Sequence, residues 1–257
     1  MSTAVKAIDE THFPASRSTA SRRIVRSELG NYYAAKKPLL TNGHKEQRVG
    51  FALQFLQEEH FWNNVVFSDE KTFKSTYDGR VKVYRPINTR FDERYTQQTN
   101  SSGRFSVNVW GWISARGPGA LCIVEDRLNA NTYTRILEEV MFPSVNEVFP
   151  LNNFVFQQDN CPIHTSALAQ NWLRANNINI LPWPSKSPDI NPIENVWGLM
   201  VKKMRRENFV PQNRQDLVNV IRDGWHNLTE EYCRSLIASM PRRLHLVIEK
   251  NGAMTKY

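Results

Sequence analysis

The sequence predicts an α/β fold, a mixed five-stranded sheet flanked by helices, on three observations. Apolar runs of strand length recur at 64–68, 106–114, 120–125, 154–156 and 178–181. A helix-length segment separates the last two, as in a parallel crossover, whereas the turn residues Arg116-Gly117-Pro118-Gly119 join the second and third as in a hairpin. Beyond Pro192, apolar side chains recur at the spacing of one helix face.

Composition sets the outer bounds. A chain of 257 residues with 40% hydrophobic content can bury one large core. No apolar run approaches the roughly 20 residues needed to cross a bilayer. Asp9 and Glu10 stand where a secretory signal would place its apolar segment, so a soluble, intracellular protein with no membrane partner is expected. Cys122, Cys161 and Cys233 are far apart, which argues against a zinc ribbon or a disulfide framework. The balance of 33 basic against 25 acidic residues, +8, favours a polyanionic partner.

Residues 1–45 are rich in Ser, Thr, Lys and Arg and poor in large apolar side chains. Within them Ser16 to Leu29 reads as one short helix carrying Arg17, Arg22, Arg23 and Arg26, and Ala35-Lys36-Lys37-Pro38 as a linker ended by its proline. The expected division is a small unit over 1–42 and a main domain over 43–257. The main domain opens with a helix at about 43–59, where Arg48, Phe51, Ala52, Phe55 and Leu56 keep helical spacing. The strand Asn64 to Ser68 ends at Asp69, and a polar, arginine-containing insertion covers 75–103. The hairpin strands Ser106 to Ser114 and Ala120 to Glu125 come next, then a helix over 131–148 through Tyr133, Ile136, Leu137, Val140 and Met141. Phe154 to Phe156 is a strand leading to Asp159, Thr165 caps a helix running to about Asn176, and Ile178 to Leu181 is the last strand. A proline-studded loop, Pro182 to Pro192, leads into the helix 193–206. Its apolar face is Ile193, Val196, Trp197, Met200, Val201 and Met204, and its polar face carries Lys202, Lys203, Arg205 and Arg206. Two or three helices fill 207–257, with Thr229 as an N-cap and Gly252 as a C′ glycine. Three antiparallel strands followed by parallel crossovers is the order of the RNase H-like fold.

Three carboxylates stand out. Asp69 and Asp159 each follow an apolar strand, and ligands of open α/β sheets gather at the carboxyl ends of strands. Glu194 lies in the first turn of its helix, at the border of the buried stripe. Three carboxylates brought together repel one another unless a cation neutralises them. Oxygen ligands with open positions suit Mg²⁺, and two such ions about 3.5–4 Å apart stabilise the attacking and leaving oxygens of an in-line phosphoryl displacement. Each residue also has a plainer reading. Asp159-Asn160 is a turn dipeptide, Asp69 can simply end a strand, and Glu194 stands at capping-box distance from Asn191. On these residues alone the reading stops at a candidate metal nuclease.

The surrounding words are more specific. They are Phe67-Ser68-Asp69-Glu70 followed by Phe73, then Phe156-Gln157-Gln158-Asp159-Asn160 with Pro162 and His164-Thr165-Ser166, and then the run from Trp183-Pro184-Ser185 through Asn191-Pro192-Ile193-Glu194-Asn195-Val196-Trp197. Together they closely resemble the Tc/mariner superfamily of DNA transposases. The 34 residues between positions 159 and 194 match its Tc branch. Val109-Trp110-Gly111 and the closing Met240-Pro241-Arg242-Arg243 through Tyr257 also resemble the family, so the likeness covers about 16–257.

The resemblance implies an RNase H-like catalytic domain in which Asp69, Asp159 and Glu194 bind two Mg²⁺ or Mn²⁺ ions. It implies a cut-and-paste transposase that cleaves at transposon ends and transfers the freed 3′-hydroxyl into target DNA at a TA step. The implied partners are double-stranded DNA, as terminal inverted repeats and TA target, and a second copy in a homodimer on DNA, reached by the 75–103 loop. The expected location is the nucleus. Members of the family carry two helix-turn-helix units ahead of the catalytic domain. Here only the last helix of the second is recognisable, at Ser16 to Leu29 before Lys36-Lys37-Pro38-Leu39-Leu40, so an N-terminally truncated member is expected. A truncated or domesticated DNA-binding relic stands as the alternative, and a structure-selective RNase H or resolvase-type nuclease as a weaker one.

The remaining residues divide by role. His164 is a candidate phosphate contact, with ordering of its own loop favoured. Glu70 is expected to face away from Asp69 because strand residues alternate. Asp189 reads as a turn or cap residue, and Trp183 and Trp197 as core. Lys202, Lys203, Arg205 and Arg206 are candidate DNA contacts or an import signal, against a plain solvated face. The arginines at 17, 22, 23 and 26, with Lys36 and Lys37, have the better claim on DNA phosphates.

Overall fold

The computed structural model describes residues 38–58, 60–76, 104–206 and 209–257, together with Thr19. The chain divides into two units, Met1–Pro38 and Leu39–Tyr257, and the second contains the sheet. The expected helix Ser16 to Leu29 (Thr19 apart), the linker lysines Lys36 and Lys37, and positions 77–103 of the expected insertion lie outside the described residues. Among the described residues no helix is long and apolar enough to cross a membrane.

Helix α1, Asn42–Phe55, starts at Thr41, whose hydroxyl accepts from the His44 amide while His44 Nδ1 accepts from the Thr41 amide. Strands β1 (Val65–Lys74), β2 (Ser106–Ser114) and β3 (Gly117–Val124) follow. Helix α2 (Ala130–Ile136), capped by Asn129, passes through a π turn at Leu137–Met141 into α3 (Phe142–Val148). Then come β4 (Val155–Gln157), α4 (Ala167–Ala175), β5 (Asn179–Ile180) and α5 (Ile193–Arg206). The chain closes with α6 (Arg214–His226), α7 (Glu230–Ala238) and α8 (Met240–Glu249).

The sheet order is β3-β2-β1-β4-β5, with β1/β2 and β2/β3 antiparallel and β1/β4 and β4/β5 parallel. This is the mixed RNase H-like arrangement. Alternation along the strands feeds two cores. Val65, Phe67, Phe73, Val107 and Val109 pack with α1 and α5–α8, whereas Val66, Trp110, Trp112, Val124 and Phe156 pack with α2–α4.

Several expectations need correction. The first strand does not end at Asp69 but runs to Lys74, because β2 continues to pair with it antiparallel from Phe67 to Lys74. The hairpin turn is shorter than expected, since Pro118 and Gly119 belong to β3. β3 is an edge strand, where a proline costs no ladder bond. A side chain at Gly119 would collide with the Trp112 ring at 1.9 Å, so the glycine lets that indole lie across the strand. Ser166, not Thr165, caps α4 by accepting from the Ala169 amide, while the Thr165 hydroxyl donates to the Cys161 carbonyl. At the end of α8 the left-handed C′ position is Asn251 (φ 47°), with Gly252 (φ 77°) one residue later, its amide donating to the Val247 carbonyl at 2.8 Å. Gly252 is required there because a Cβ would meet the Lys45 carbonyl oxygen at 2.3 Å.

Candidate active site

The site lies where β1 and β4 part. They pair only over Val65–Phe67 and Val155–Gln157, with Phe67 opposite Gln157. Ser68 fastens the join: its hydroxyl donates to the Gln157 carbonyl at 2.8 Å and its amide to Gln157 Oε1 at 3.3 Å. Two residues beyond the Phe67/Gln157 pair, each strand's path carries an aspartate, Asp69 still in β1 and Asp159 just past β4. Both therefore follow the last β1/β4 pair by the same number of residues.

Asp69 points to the α5 side, as do its alternates Phe67 and Phe73. Its Oδ2 accepts from the Trp197 indole at 3.0 Å. Burial raises its pKa well above the usual carboxylate range, and the negative charges of Glu194 and Glu70 add to this. Glu194, one turn before Trp197, presents a half-exposed carboxylate 3.8 Å from Lys71 Nζ. The start of α5 is tied to β1 by Asn191, whose side-chain amide donates to the Ser68 carbonyl at 3.3 Å.

Asp159 is held from the other face. Its Oδ1 accepts from the Cys161 amide at 2.9 Å and lies 2.6 Å from His164 Nδ1, while His164 Nε2 lies 3.1 Å from Glu70 Oε1. Burial alone would lower the histidine pKa. Hydrogen bonds to Asp159 and Glu70, and their charges, outweigh it and hold His164 up at about 10, so it bridges the two carboxylates as an imidazolium. The same pairing overcomes the burial of Asp159 and keeps its pKa below the usual value. Tyr133 packs tilted against the His164 ring, centroids 4.2 Å apart, and donates to Gln158 Oε1 at 2.5 Å.

Asp69 and Glu194 thus share electrostatic reach, and Asp159 is joined to β1 through His164 and Glu70. Among the described residues no three His, Cys, Asp or Glu side chains are already gathered at ion-holding distance. Each carboxylate has its own partner: the Trp197 indole for Asp69, the Lys71 ammonium as an ion pair for Glu194, and His164 for Asp159. The donor set, all carboxylate oxygen and under its own repulsion at Asp69, fits a hard divalent cation.

His164 is buried and lies between Asp159 and Glu70. Glu70 does face away from Asp69, yet through His164 it reaches Asp159. Trp183 is core. Trp197 is core and also a donor to the site. Asp189 does lie in a turn, Pro188–Ile190, but its side chain forms a buried, two-bond ion pair with Arg48 at 2.7 and 2.8 Å. Lys202, Lys203, Arg205 and Arg206 lie on the exposed face of α5, and Arg17, Arg22, Arg23, Arg26, Lys36 and Lys37 lie outside the described residues. Sequence reading missed Lys71, although strand alternation puts it on the face of Asp69.

Residues 64–217, which include all three carboxylates, match the DDE superfamily endonuclease family. The chain belongs to this family. Within it, the Tc/mariner transposases are the relatives. The chain is 35% identical to the transposable element Tcb2 transposase of Caenorhabditis briggsae, over 93% of its own length and 87% of the relative's. It is 33% identical to the transposable element Tc1 transposase of Caenorhabditis elegans, over 94% and 88%. Among solved structures, the Mos1 transposase paired-end complex with left transposon end superposes with a TM-score of 0.79 at 18% identity, covering 98% of this chain and 78% of that one. The Mos1 paired-end complex with Mn gives 0.76 at 18% identity, covering 100% and 75%, and that with Mg gives 0.75 at 18%, covering 98% and 79%. At these identities the superpositions speak to the fold, and they place this DDE endonuclease on the Mos1 scaffold.

Proposed function

We propose that the chain is a metal-dependent cut-and-paste DNA transposase that cleaves at the ends of a mobile element and joins the freed end to target DNA. The observation that carries the reading is that Asp69 and Asp159 each follow the last β1/β4 pair by two residues, where the strands part, with Glu194 in electrostatic reach of Asp69. It is supported by relatives named as transposases and by Mos1 complexes with a transposon end, Mn and Mg.

On this reading Asp69, Asp159 and Glu194 would hold two Mg²⁺ or Mn²⁺ ions, which when bound supply Lewis acidity to the attacking and leaving oxygens of an in-line phosphoryl displacement. The chain's own side chains prepare the ligands. Trp197 fixes the Asp69 carboxylate, Asn191 ties α5 to β1, and His164 with the Cys161 amide fixes one oxygen of Asp159. Lys71 sets a positive charge beside Glu194, on the face a DNA phosphate would approach. Cleavage breaks a P–O3′ bond, places a water oxygen on phosphorus and frees a 3′-hydroxyl. Transfer forms a new P–O bond from that hydroxyl as a target P–O3′ bond breaks, at a TA step, so phosphodiester linkages are exchanged without an external energy source.

The partners are the terminal repeats and target as duplex DNA, and a second copy of the chain bound with it. Arg17, Arg22, Arg23, Arg26, Lys36 and Lys37, and the exposed Lys202, Lys203 and Arg206, are proposed as phosphate contacts, with the nucleus as the place of action. The test is incubation with nicked or pre-cut transposon-end DNA and Mg²⁺ or Mn²⁺. Cleavage and joining that Asp159→Asn abolishes are expected. DNA binding of full strength without turnover would instead identify a binding relic.

A further inference from the structure

We propose that Arg243, on α8, is a positioning residue for Glu194, locked by the carboxy-terminal arm Gly252–Tyr257. The inference rests on the assignment of Glu194 as a metal ligand.

Glu194 itself is half-exposed, and its neighbours on both sides are tethered. Arg243 is 1% exposed, and all three guanidinium nitrogens are used. Nε donates to the Ser239 hydroxyl at 2.8 Å, Nη1 to the Asp189 carbonyl at 3.2 Å, and Nη2 to Asn195 Oδ1 at 2.7 Å. Asn195 is the residue after Glu194, and Asp189 lies in the loop that feeds α5. One rigid fork therefore spans the entry to the helix and its first turn, and fixes the rotation that aims Glu194.

The arm closes around this fork. The Asp189 carboxylate accepts from the Thr255 amide at 2.7 Å and from both terminal nitrogens of Arg48, whose Nε donates to the Gly252 carbonyl at 2.9 Å. Tyr257 lies under the Arg243 guanidinium, 4.3 Å from its centre. A core that needed stability alone would do as well or better with apolar side chains, because two buried arginines must be desolvated. What the arginines add is direction. The Met240-Pro241-Arg242-Arg243 word and the closing residues, distant from the carboxylates in sequence, thereby act on the third of them.

The test uses the full chain and the variants Arg243→Lys, which keeps the charge and loses the fork, Asn195→Ala, which removes only the acceptor, and Glu194→Gln. Mn²⁺ affinity of the DNA-free protein is read by electron paramagnetic resonance, hydrogen exchange at the amides of 194–196 by mass spectrometry, and cleavage on pre-nicked end DNA. Arg243→Lys and Asn195→Ala are each expected to weaken Mn²⁺ binding about 10–100-fold, to speed exchange in the first turn of α5 and to leave end-DNA affinity unchanged. The two together should cost no more than one, and neither should weaken Mn²⁺ binding further in Glu194→Gln. Mn²⁺ affinity within about twofold of the parent in Asn195→Ala, or an equal loss in the Glu194→Gln background, overturns the inference. Should Arg243→Lys fail to fold, the Asn195→Ala results decide. Parent-like Mn²⁺ binding and cleavage by Glu194→Gln would instead overturn the assignment of Glu194.

Discussion

The indole nitrogen of Trp197 lies 3.0 Å from Oδ2 of Asp69, so a fully buried tryptophan also donates to a carboxylate that burial and its acidic neighbours push towards the neutral form. Packing and chemistry meet in this one side chain, and the two can be separated.

Trp197→Phe keeps the ring in the core and deletes the donor. The Asp69 pKa, already raised, should rise further, and a carboxylate must be ionised to hold a cation. The acid limb of Mn²⁺-dependent cleavage is therefore expected to move to higher pH, with about 1 kcal/mol lost from stability. A pH–rate profile beside a urea melt checks both, and an unmoved acid limb would show the bond to be idle.

His164→Ala removes the group that lies between Asp159 and Glu70. Two carboxylates lose their shared partner, so a loss of about 2–3 kcal/mol is expected, together with loss of strand cleavage at unchanged DNA affinity. Denaturant melts and gel-shift titrations on the same preparation read the two effects.

Asp189 offers a pH test away from the carboxylate site. Burial would raise its pKa, but the bonds from Arg48 and from the Thr255 amide outweigh this and hold it below 3.8. A depressed folded pKa stabilises above the unfolded value, and the contribution fades as pH falls through the folded one. Asp189→Asn strands Arg48 in the core, so the variant should be about 3–5 kcal/mol less stable than the parent at pH 7. That gap should narrow once the pH drops below 3.8, as stability curves at several pH values would show.

Lys202→Glu with Lys203→Glu probes the exposed face of α5. If both lysines meet phosphates, the slope of log affinity against log salt should shrink by about 1.8, from roughly 0.9 per phosphate, without a change in sequence preference. Fluorescence anisotropy between low and moderate salt measures the slope. An unchanged slope would leave these side chains as a solvated face.

Where one segment carried its own periodicity, the sequence was readable. Helix α5 has the bounds expected, 193–206, because Ile193, Val196, Trp197, Met200 and Met204 mark one buried stripe. The order of strands was equally legible. The strand bearing Asp69 is longer than its apolar run indicates, because a polar run after an apolar one looks like a loop. Its extension depends on β2, which pairs Asp69 with Gly111 and Lys74 with Ser106 across an insertion. In the sequence Arg48 shows only helical spacing and Asp189 only a turn setting. Nothing local marks two residues 141 apart as an ion pair. Glu70 was rightly turned away from Asp69, but its link to Asp159 passes through His164, 94 positions on, and only the folded chain brings them together.

The sheet's two outer strands have a consequence for assembly. Strand β3 contains Pro118, and β5 is only two residues long. The proline removes an amide near the start of the β3 edge, and β5 is too short to offer a ladder of its own, so both edges are poorer templates for a further strand than their place in the sheet suggests.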